Sequence, residues 1–233
     1  EDRQVVVAAN RMAELIPYLQ GKRIGVVANQ TSIVYKENGA YAHLIDSLLQ
    51  HKLQVVKVFS PEHGFRGEAD AGETVDNDID NKTGIPLISL YGNNTKPAQE
   101  SLDSLDLVVF DIQDVGVRFY TYISTLTLVM EACAEKGIEL IVLDRPNPNG
   151  HYIDGPTLEI FHKSFVGMHP VPLVYGMTIG EYAQMINGEG WLENRLQCKL
   201  RVLKLINYNR MTEFPLPVRP SPNLPNDRAI NLY

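Results

Sequence analysis

Five short runs of mainly apolar residues constrain the fold of this 233-residue chain more than any other feature of its sequence. The runs lie at 24–28, 55–59, 87–90, 107–110 and 140–143. They lack the strict alternation of apolar and polar residues that a half-exposed strand shows, which is typical of strands covered on both faces. The runs therefore predict the strands of a buried, mostly parallel sheet.

Helical patterns separate most of these runs. Apolar residues recur on one face of 40–50 and of 120–136, and Gly137 follows the second segment as a suitable C-terminal cap. An earlier helix is expected at 8–19. Strands that alternate with helices predict an α/β fold, with right-handed crossovers and helices on both faces of the sheet.

The pattern changes after residue 150, so we predict a domain at 1–150 and an extension of it at 151–233. Thr178 is followed three residues later by Glu181, a capping-box pattern that predicts a helix at 178–187. A strand is expected at 198–206, and the proline-rich segment 214–225 is expected to lack regular structure. We expect the extension to lead into a C-terminal portion that this chain largely lacks.

Composition excludes several classes of function. The net charge is −7 and no basic run occurs, which argues against a nucleic-acid partner, because phosphate binding needs clustered Lys and Arg. No apolar stretch approaches the roughly 20 residues of a membrane span. The two cysteines, Cys133 and Cys198, are too few for a disulfide scaffold, and we expect two buried free thiols.

Polar residues follow four of the predicted strands, at 29–31, 60–67, 111–118 and 144–150. In an open parallel sheet, ligands bind beyond the carboxyl ends of the strands. The pattern therefore predicts a polar site at that edge of the sheet. It does not identify the reaction.

Several familiar sites are missing from the sequence. The first strand is not followed by G-x-G-x-x-G, and G-x-x-x-x-G-K-[ST] does not occur, so a dinucleotide or ATP site loses its main support. The G-x-S-x-G elbow, C-x-x-C and H-E-x-x-H are also missing. We expect neither a cofactor nor a bound metal.

Seven motifs along the chain resemble those of one protein family. They are Ser-Pro-Glu-His-Gly-Phe-Arg-Gly at 60–67, Phe-Asp-Ile-Gln-Asp-Val-Gly-Val-Arg-Phe-Tyr-Thr-Tyr at 110–122, Asp-Arg-Pro-Asn-Pro-Asn-Gly at 144–150, Gly-Pro at 155–156, Ser-Phe-Val-Gly at 164–167, Gly-Met-Thr at 176–178 and Pro-Ser-Pro-Asn at 220–223. Together and in this order they resemble the NamZ family of exo-β-N-acetylmuramidases over nearly the whole chain. One departure is Tyr175, at a position where many relatives carry His.

The resemblance implies a Rossmann-like domain, a smaller C-terminal domain and a cleft between them. It also implies an exported bacterial enzyme, periplasmic or extracellular, that releases N-acetylmuramic acid from the non-reducing ends of peptidoglycan fragments. Its partners would be peptidoglycan-derived saccharides or muropeptides.

Glu62 and His63 are the first candidates for catalysis. A glycosidase needs a carboxylic acid beside the leaving oxygen, and Pro61 and Phe65 could shield Glu62 and raise its pKa. Without the resemblance, the alternative is that Glu62 is a solvent-exposed loop residue that pairs with Arg66. The resemblance favours a catalytic role for Glu62. His63 either orients Glu62 or caps a turn, and Arg66 is a candidate for substrate binding.

Asp111 and Asp114 lie three residues apart after the fourth strand. We expect Asp111 to stabilise its own loop and Asp114 to take part in catalysis. Asp114 would polarise a water or hold the 2-acetamido group of the sugar. A second carboxylate fits either a two-carboxylate mechanism or one in which the acetamido oxygen attacks the anomeric carbon.

Arg118 and Arg145 are candidates for binding the lactyl carboxylate that distinguishes N-acetylmuramic acid, because a guanidinium can hold a carboxylate with two hydrogen bonds. The alternative is internal pairing of Arg118 with Asp114 and of Arg145 with Asp144. The remaining candidates for substrate binding are Asn29, Tyr120, Tyr122, Asp144 and Asn147. The tyrosines would stack on a sugar or pack in the core, and Asn147 would bind a hydroxyl or build a turn.

Two other functions fit the same residues. One is a metal-dependent hydrolase that uses Glu62, His63 and the strand-end aspartates around Mg²⁺. The other is a peptidoglycan-binding module without catalytic activity.

Overall fold

A computed structural model of the protein describes residues 4–61, 65 and 78–233. Its strands are β1 (Arg23–Ala28), β2 (Ile33–Tyr35), β3 (Tyr41–His43), β4 (Gln54–Ser60), β5 (Asp78–Ile79), β6 (Pro86–Ser89), β7 (Leu107–Asp111), β8 (Glu139–Leu143) and β9 (Lys199–Leu203). Its α-helices are α1 (Met12–Leu19), α2 (Leu44–Gln50), α3 (Gln99–Leu102), α4 (Tyr122–Lys136), α5 (Ile179–Gly188) and α6 (Asp227–Leu232). Short 3₁₀ turns occur at Ala8–Asn10, Ile160–His162 and Glu193–Arg195.

Seven of these strands form one sheet in the order β5-β6-β4-β1-β7-β8-β9. Neighbouring strands run parallel, except that β5 pairs with β6 in the antiparallel direction. β2 and β3 form a separate antiparallel pair. The predicted α/β fold with a mostly parallel sheet is confirmed. β9 belongs to the predicted extension yet joins the same sheet, and the predicted boundary at residue 150 stays a prediction.

Apolar side chains cover both faces of the sheet, which explains why its strands are so rich in apolar residues. Val27 and Phe110 belong to one buried cluster, together with Leu126 of α4. Val26 of the same central strand belongs to a second cluster, together with Leu48 of α2. Because side chains alternate along a strand, β1, β4, β7 and β8 each contribute to both clusters.

The helices agree with the sequence patterns best at their capped ends. α4 ends where Gly137 adopts a left-handed conformation with φ of 73°. Thr178 caps α5 and forms the predicted reciprocal capping box with Glu181. The predicted helix 40–50 begins only at Leu44, because the residues before it form β3.

The ends of the central strands are level with one another. Val27 of β1 lies opposite Phe59 of β4 and Phe110 of β7, and Phe110 lies opposite Val142 of β8. These four parallel strands therefore reach their carboxyl ends at one edge, which we call the carboxyl edge. Among the residues that the structure describes, no helix is long and apolar enough to cross a bilayer.

Candidate active site

Loops after β1, β7 and β8 bring most of the predicted polar residues to the carboxyl edge. Glu62, His63 and Arg66 lie outside the described residues, so their roles stay predictions. β4 ends at Ser60, and Ser60 and the following Pro61 are both buried.

Asp111 and Arg145 form a buried ion pair between the ends of β7 and β8. Nε of Arg145 donates to one carboxylate oxygen at 2.6 Å, and Nη2 donates to the other at 2.8 Å. The same Nη2 also donates to the carbonyl oxygen of Ile33 at 2.9 Å. Asp111 is fully buried and Arg145 is 2% exposed. The guanidinium is therefore already paired, and its predicted role in binding the lactyl group has no support from this geometry.

Asp144 anchors the start of α5 and does not pair with the Arg145 guanidinium. Its carboxyl accepts hydrogen bonds from Thr178 Oγ1 at 3.0 Å and from the backbone N–H of Gly180 at 2.8 Å. A Cβ atom at Gly180 would lie 2.7 Å from the Asp144 carboxyl carbon, so α5 approaches this closely only because residue 180 is glycine. Burial raises the pKa of Asp144 to about 6.

Asn147 links three loops at the carboxyl edge. Its side-chain amide donates to the carbonyl oxygen of Met177 at 2.8 Å and accepts from the backbone N–H of Asn149 at 2.8 Å. Gly116 packs directly against it with φ of 78°, where a Cβ atom would come within 2.2 Å of the amide oxygen. These contacts support the role of Asn147 in building the turn. Its role in binding sugar stays a prediction.

Asn29 keeps one unpaired group at the end of β1. Its side-chain oxygen accepts from the backbone N–H of Thr31 at 2.9 Å and from the Thr31 hydroxyl at 2.5 Å. Its side-chain nitrogen is buried and has no hydrogen-bond partner in the described structure. A buried donor in this state suits an acceptor oxygen on a ligand.

Arg118 does not form the ion pair with Asp114 that was the alternative to binding the lactyl carboxylate. Its Nη1 donates to the carbonyl oxygens of Pro156 at 2.8 Å and Val171 at 2.5 Å. Within 4–61, 65 and 78–233, no carboxylate forms an ion pair with it. Arg118 thus keeps a positive charge close to the site without a described counter-charge.

Tyr120 and Tyr122 pack edge to face, with ring centroids 4.9 Å apart. Both are buried, and the Tyr120 hydroxyl donates to the carbonyl oxygen of Pro220 at 2.7 Å. Burial raises the pKa of Tyr120 well above its usual value. Their packing agrees with a core role, and stacking on a sugar stays a prediction.

Asp114 combines a raised pKa with a carboxylate oxygen that has no described hydrogen-bond partner. Its Oδ2 accepts hydrogen bonds from the backbone N–H of Gly116 at 2.8 Å and from the Tyr175 hydroxyl. Its Oδ1 is buried and has no described partner. Burial raises the pKa of Asp114 to about 6, although these hydrogen bonds oppose the rise. A carboxyl in this state can exchange a proton near neutral pH, as acid–base catalysis requires.

Tyr175 is the residue that sequence reasoning did not place in the site. It is buried, and its ring packs 4.9 Å from that of Tyr182. Asp114 and Tyr175 are 61 residues apart, so no local pattern connects them.

The described residues include no group of three or more His, Cys, Asp or Glu side chains that could hold a metal ion. Cys133 and Cys198 are free and buried, as predicted.

The chain is similar to known proteins over most of its length. Residues 24–228 match the family profile described as exo-β-N-acetylmuramidase NamZ, N-terminal. The peptidoglycan β-N-acetylmuramidase NamZ of Bacillus subtilis strain 168 is 45% identical over 221 residues, which cover 92% of this chain and 51% of that protein. The chain thus spans about half the length of this curated relative.

Crystal structures of two DUF1343 family proteins from Bacteroides fragilis NCTC 9343 have the same fold. One is 46% identical with a TM-score of 0.88, and the alignment covers 99% of this chain and 60% of that one. The other is 36% identical with a TM-score of 0.85, and the alignment covers 97% and 57% of the two chains. By this fold, and by the profile that spans residues 24–228, the chain belongs to the family of the exo-β-N-acetylmuramidase NamZ N-terminal region.

Proposed function

We propose that this protein is a glycoside hydrolase that releases N-acetylmuramic acid from the non-reducing ends of peptidoglycan fragments. The observation that carries the proposal is the Asp114 carboxyl at the carboxyl edge, with one oxygen unpaired and a pKa raised by burial to about 6. The name of the Bacillus subtilis relative, a peptidoglycan β-N-acetylmuramidase, supports the choice of substrate.

In this proposal, two carboxyl groups divide the chemistry. Glu62 lies two residues after the end of β4 in the sequence, and in its protonated form it would donate a proton to the leaving glycosidic oxygen. With a pKa of about 6, Asp114 would be mainly ionised at neutral pH. As a carboxylate it would either activate the attacking water or orient the 2-acetamido group. Both routes need the charged form of Asp114.

Arg118 is the described arginine that suits the lactyl carboxylate, because Arg145 is already paired with Asp111. Asp114 and Arg118 act on the pKa of Tyr182 in opposite directions, which places both charges near the same ring. We expect Arg118→Leu to lower kcat/KM for a chromogenic N-acetylmuramic acid glycoside by about 10–100-fold, the loss of one charge-assisted hydrogen-bonded contact. The matching N-acetylglucosamine glycoside, which lacks the lactyl group, should lose far less.

The same assay tests the proposed function itself. The unaltered protein should release the chromophore from the N-acetylmuramic acid glycoside and much less from the N-acetylglucosamine glycoside. Activity that a chelator removes would instead favour a metal-dependent hydrolase. Saturable binding without turnover would favour a peptidoglycan-binding module. Equal losses on both glycosides in Arg118→Leu would remove Arg118 from lactyl recognition.

We also propose that the protein acts in the periplasm or outside the cell, because its proposed substrate lies outside the cytoplasmic membrane. Fractionation of the source bacterium should find the protein in the periplasmic or extracellular fraction. Recovery only with cytoplasmic markers would contradict this location.

A further inference from the structure

The two oxygens of the Asp114 carboxyl have very different surroundings. Oδ2 accepts two hydrogen bonds, one from the Gly116 backbone and one from the Tyr175 hydroxyl. Oδ1 is buried and accepts no hydrogen bond from the described residues. A buried acceptor without a partner is costly, and a donor from a bound molecule would remove that cost.

We propose that Tyr175 is a positioning residue: with the Gly116 amide it holds Oδ2 of Asp114, so that Oδ1 stays available to an N–H or O–H donor of the substrate or of the attacking water. This inference rests on the proposed glycosidase function and extends it to a residue that acts through Asp114. Both roles proposed for Asp114 place a hydrogen-bond donor at Oδ1. The donor is an O–H of the attacking water in one role and the N–H of the 2-acetamido group in the other.

The backbone around Tyr175 keeps its hydroxyl in place. Val174, the preceding residue, forms antiparallel bridges with both Val117 and Asp154. The Tyr175 backbone N–H donates to the carbonyl oxygen of Gly116 at 3.4 Å. The loop that carries Asp114 and the segment that carries Tyr175 are therefore joined directly, and a fixed partner of this kind preorganises a catalytic side chain.

Several charged or titratable groups lie near Asp114, and among the described side chains Tyr175 is the one that donates a hydrogen bond to it. Tyr120 comes from the connection between β7 and α4, and Tyr182 comes from α5; burial and the Asp114 charge both raise their pKa values. Arg118 lies near Tyr182 without an ion pair to Asp114. Hydrogen bonds from Tyr175 and the backbone lower the pKa of Asp114 against the effect of burial. Loss of the Tyr175 hydroxyl should therefore raise that pKa.

Tyr175→Phe tests the inference through the pH dependence of kcat/KM. Because the carboxylate form of Asp114 is the active one, activity falls as the pH drops through its pKa. In the variant, this fall in activity, the acid limb of the pH profile, should lie about one pH unit higher. At pH values below the limb, kcat/KM should therefore be roughly tenfold lower than in the unaltered protein. Tyr182→Phe is the matched control: its hydroxyl is buried beside Tyr175 but has no described partner, so the limb should not move.

A second measurement does not depend on turnover. With ¹³C-labelled aspartate, the NMR titration of the Asp114 carboxyl, assigned by Asp114→Asn, should move to higher pH in Tyr175→Phe and stay unchanged in Tyr182→Phe. In the Asp114→Asn background, Tyr175→Phe should cause no further loss of activity. Unchanged titration and unchanged acid limb would overturn the role of Tyr175. A protein that releases no N-acetylmuramic acid but shows the shifted titration would instead refute the proposed function alone.

Discussion

Asp111→Asn is expected to lower the free energy of unfolding by about 3–5 kcal/mol, the usual cost of removing one partner of a buried ion pair. Asp111 is fully buried, and its two oxygens accept the parallel hydrogen bonds of Arg145. The substitution keeps the side-chain volume and removes the charge, so the Arg145 guanidinium would remain buried without its counter-charge. Urea unfolding, followed by circular dichroism at neutral pH, measures the loss.

Asp106→Asn provides the matched control, because Asp106 also binds an arginine with two side-chain hydrogen bonds. Arg23 donates to it through Nε at 3.2 Å and Nη2 at 2.8 Å, but this pair lies at the surface. Water screens exposed pairs, so Asp106→Asn should change stability only slightly. Equal effects of the two substitutions would show that the Asp111–Arg145 pair does not hold the ends of β7 and β8 together.

Glu62→Gln should lower kcat for N-acetylmuramic acid release from a natural disaccharide by about 10²–10⁴-fold, the usual contribution of a general acid. Glutamine keeps the shape of the side chain but cannot donate the proton that the departing hydroxyl of the next sugar needs. An unfolding midpoint close to that of the unaltered protein would show that the loss of activity is not a loss of fold. Steady-state kinetics with the separated sugars quantified by mass spectrometry measures the loss.

The leaving group separates a general acid from a residue that merely binds. A 4-nitrophenol leaving group is far more acidic than a sugar hydroxyl and needs less help from a proton donor. Glu62→Gln should therefore retain much more activity on the nitrophenyl glycoside than on the disaccharide. Glu100→Gln, a substitution of an exposed glutamate on α3, should leave both rates unchanged. Equal losses on both substrates would remove Glu62 from proton donation.

Sequence reasoning recovered the fold because the relevant signals are local. The apolar runs, Gly137 after α4 and the capping box at Thr178 each lie within a few residues of the element they define. The failure at the start of α2 has a tertiary cause. The pattern at 40–50 suits a helix, but residues Tyr41–His43 pair with Ile33–Tyr35 as β3, and this pairing overrides the local preference.

The site was predictable in its location but not in its pairings. Strand ends identified Asp111, Asp114, Asp144 and Arg145, since parallel strands deliver such residues to one edge. The pairing of Arg145 with Asp144, which was the alternative to lactyl binding, does not form because the two successive residues just beyond β8 project to opposite faces of the sheet. The Asp144 carboxyl therefore accepts a hydrogen bond from the start of α5, and the Arg145 guanidinium forms its ion pair with Asp111 on the other face.

The measurement that tests the account most directly uses a trisaccharide of N-acetylmuramic acid, N-acetylglucosamine and a reduced terminal N-acetylmuramic acid. Mass spectrometry distinguishes the two ends, because only the original reducing end carries the reduced sugar. The account predicts free, unreduced N-acetylmuramic acid together with a disaccharide that retains the reduced residue. An intact trisaccharide, or release of the reduced sugar first, would contradict it.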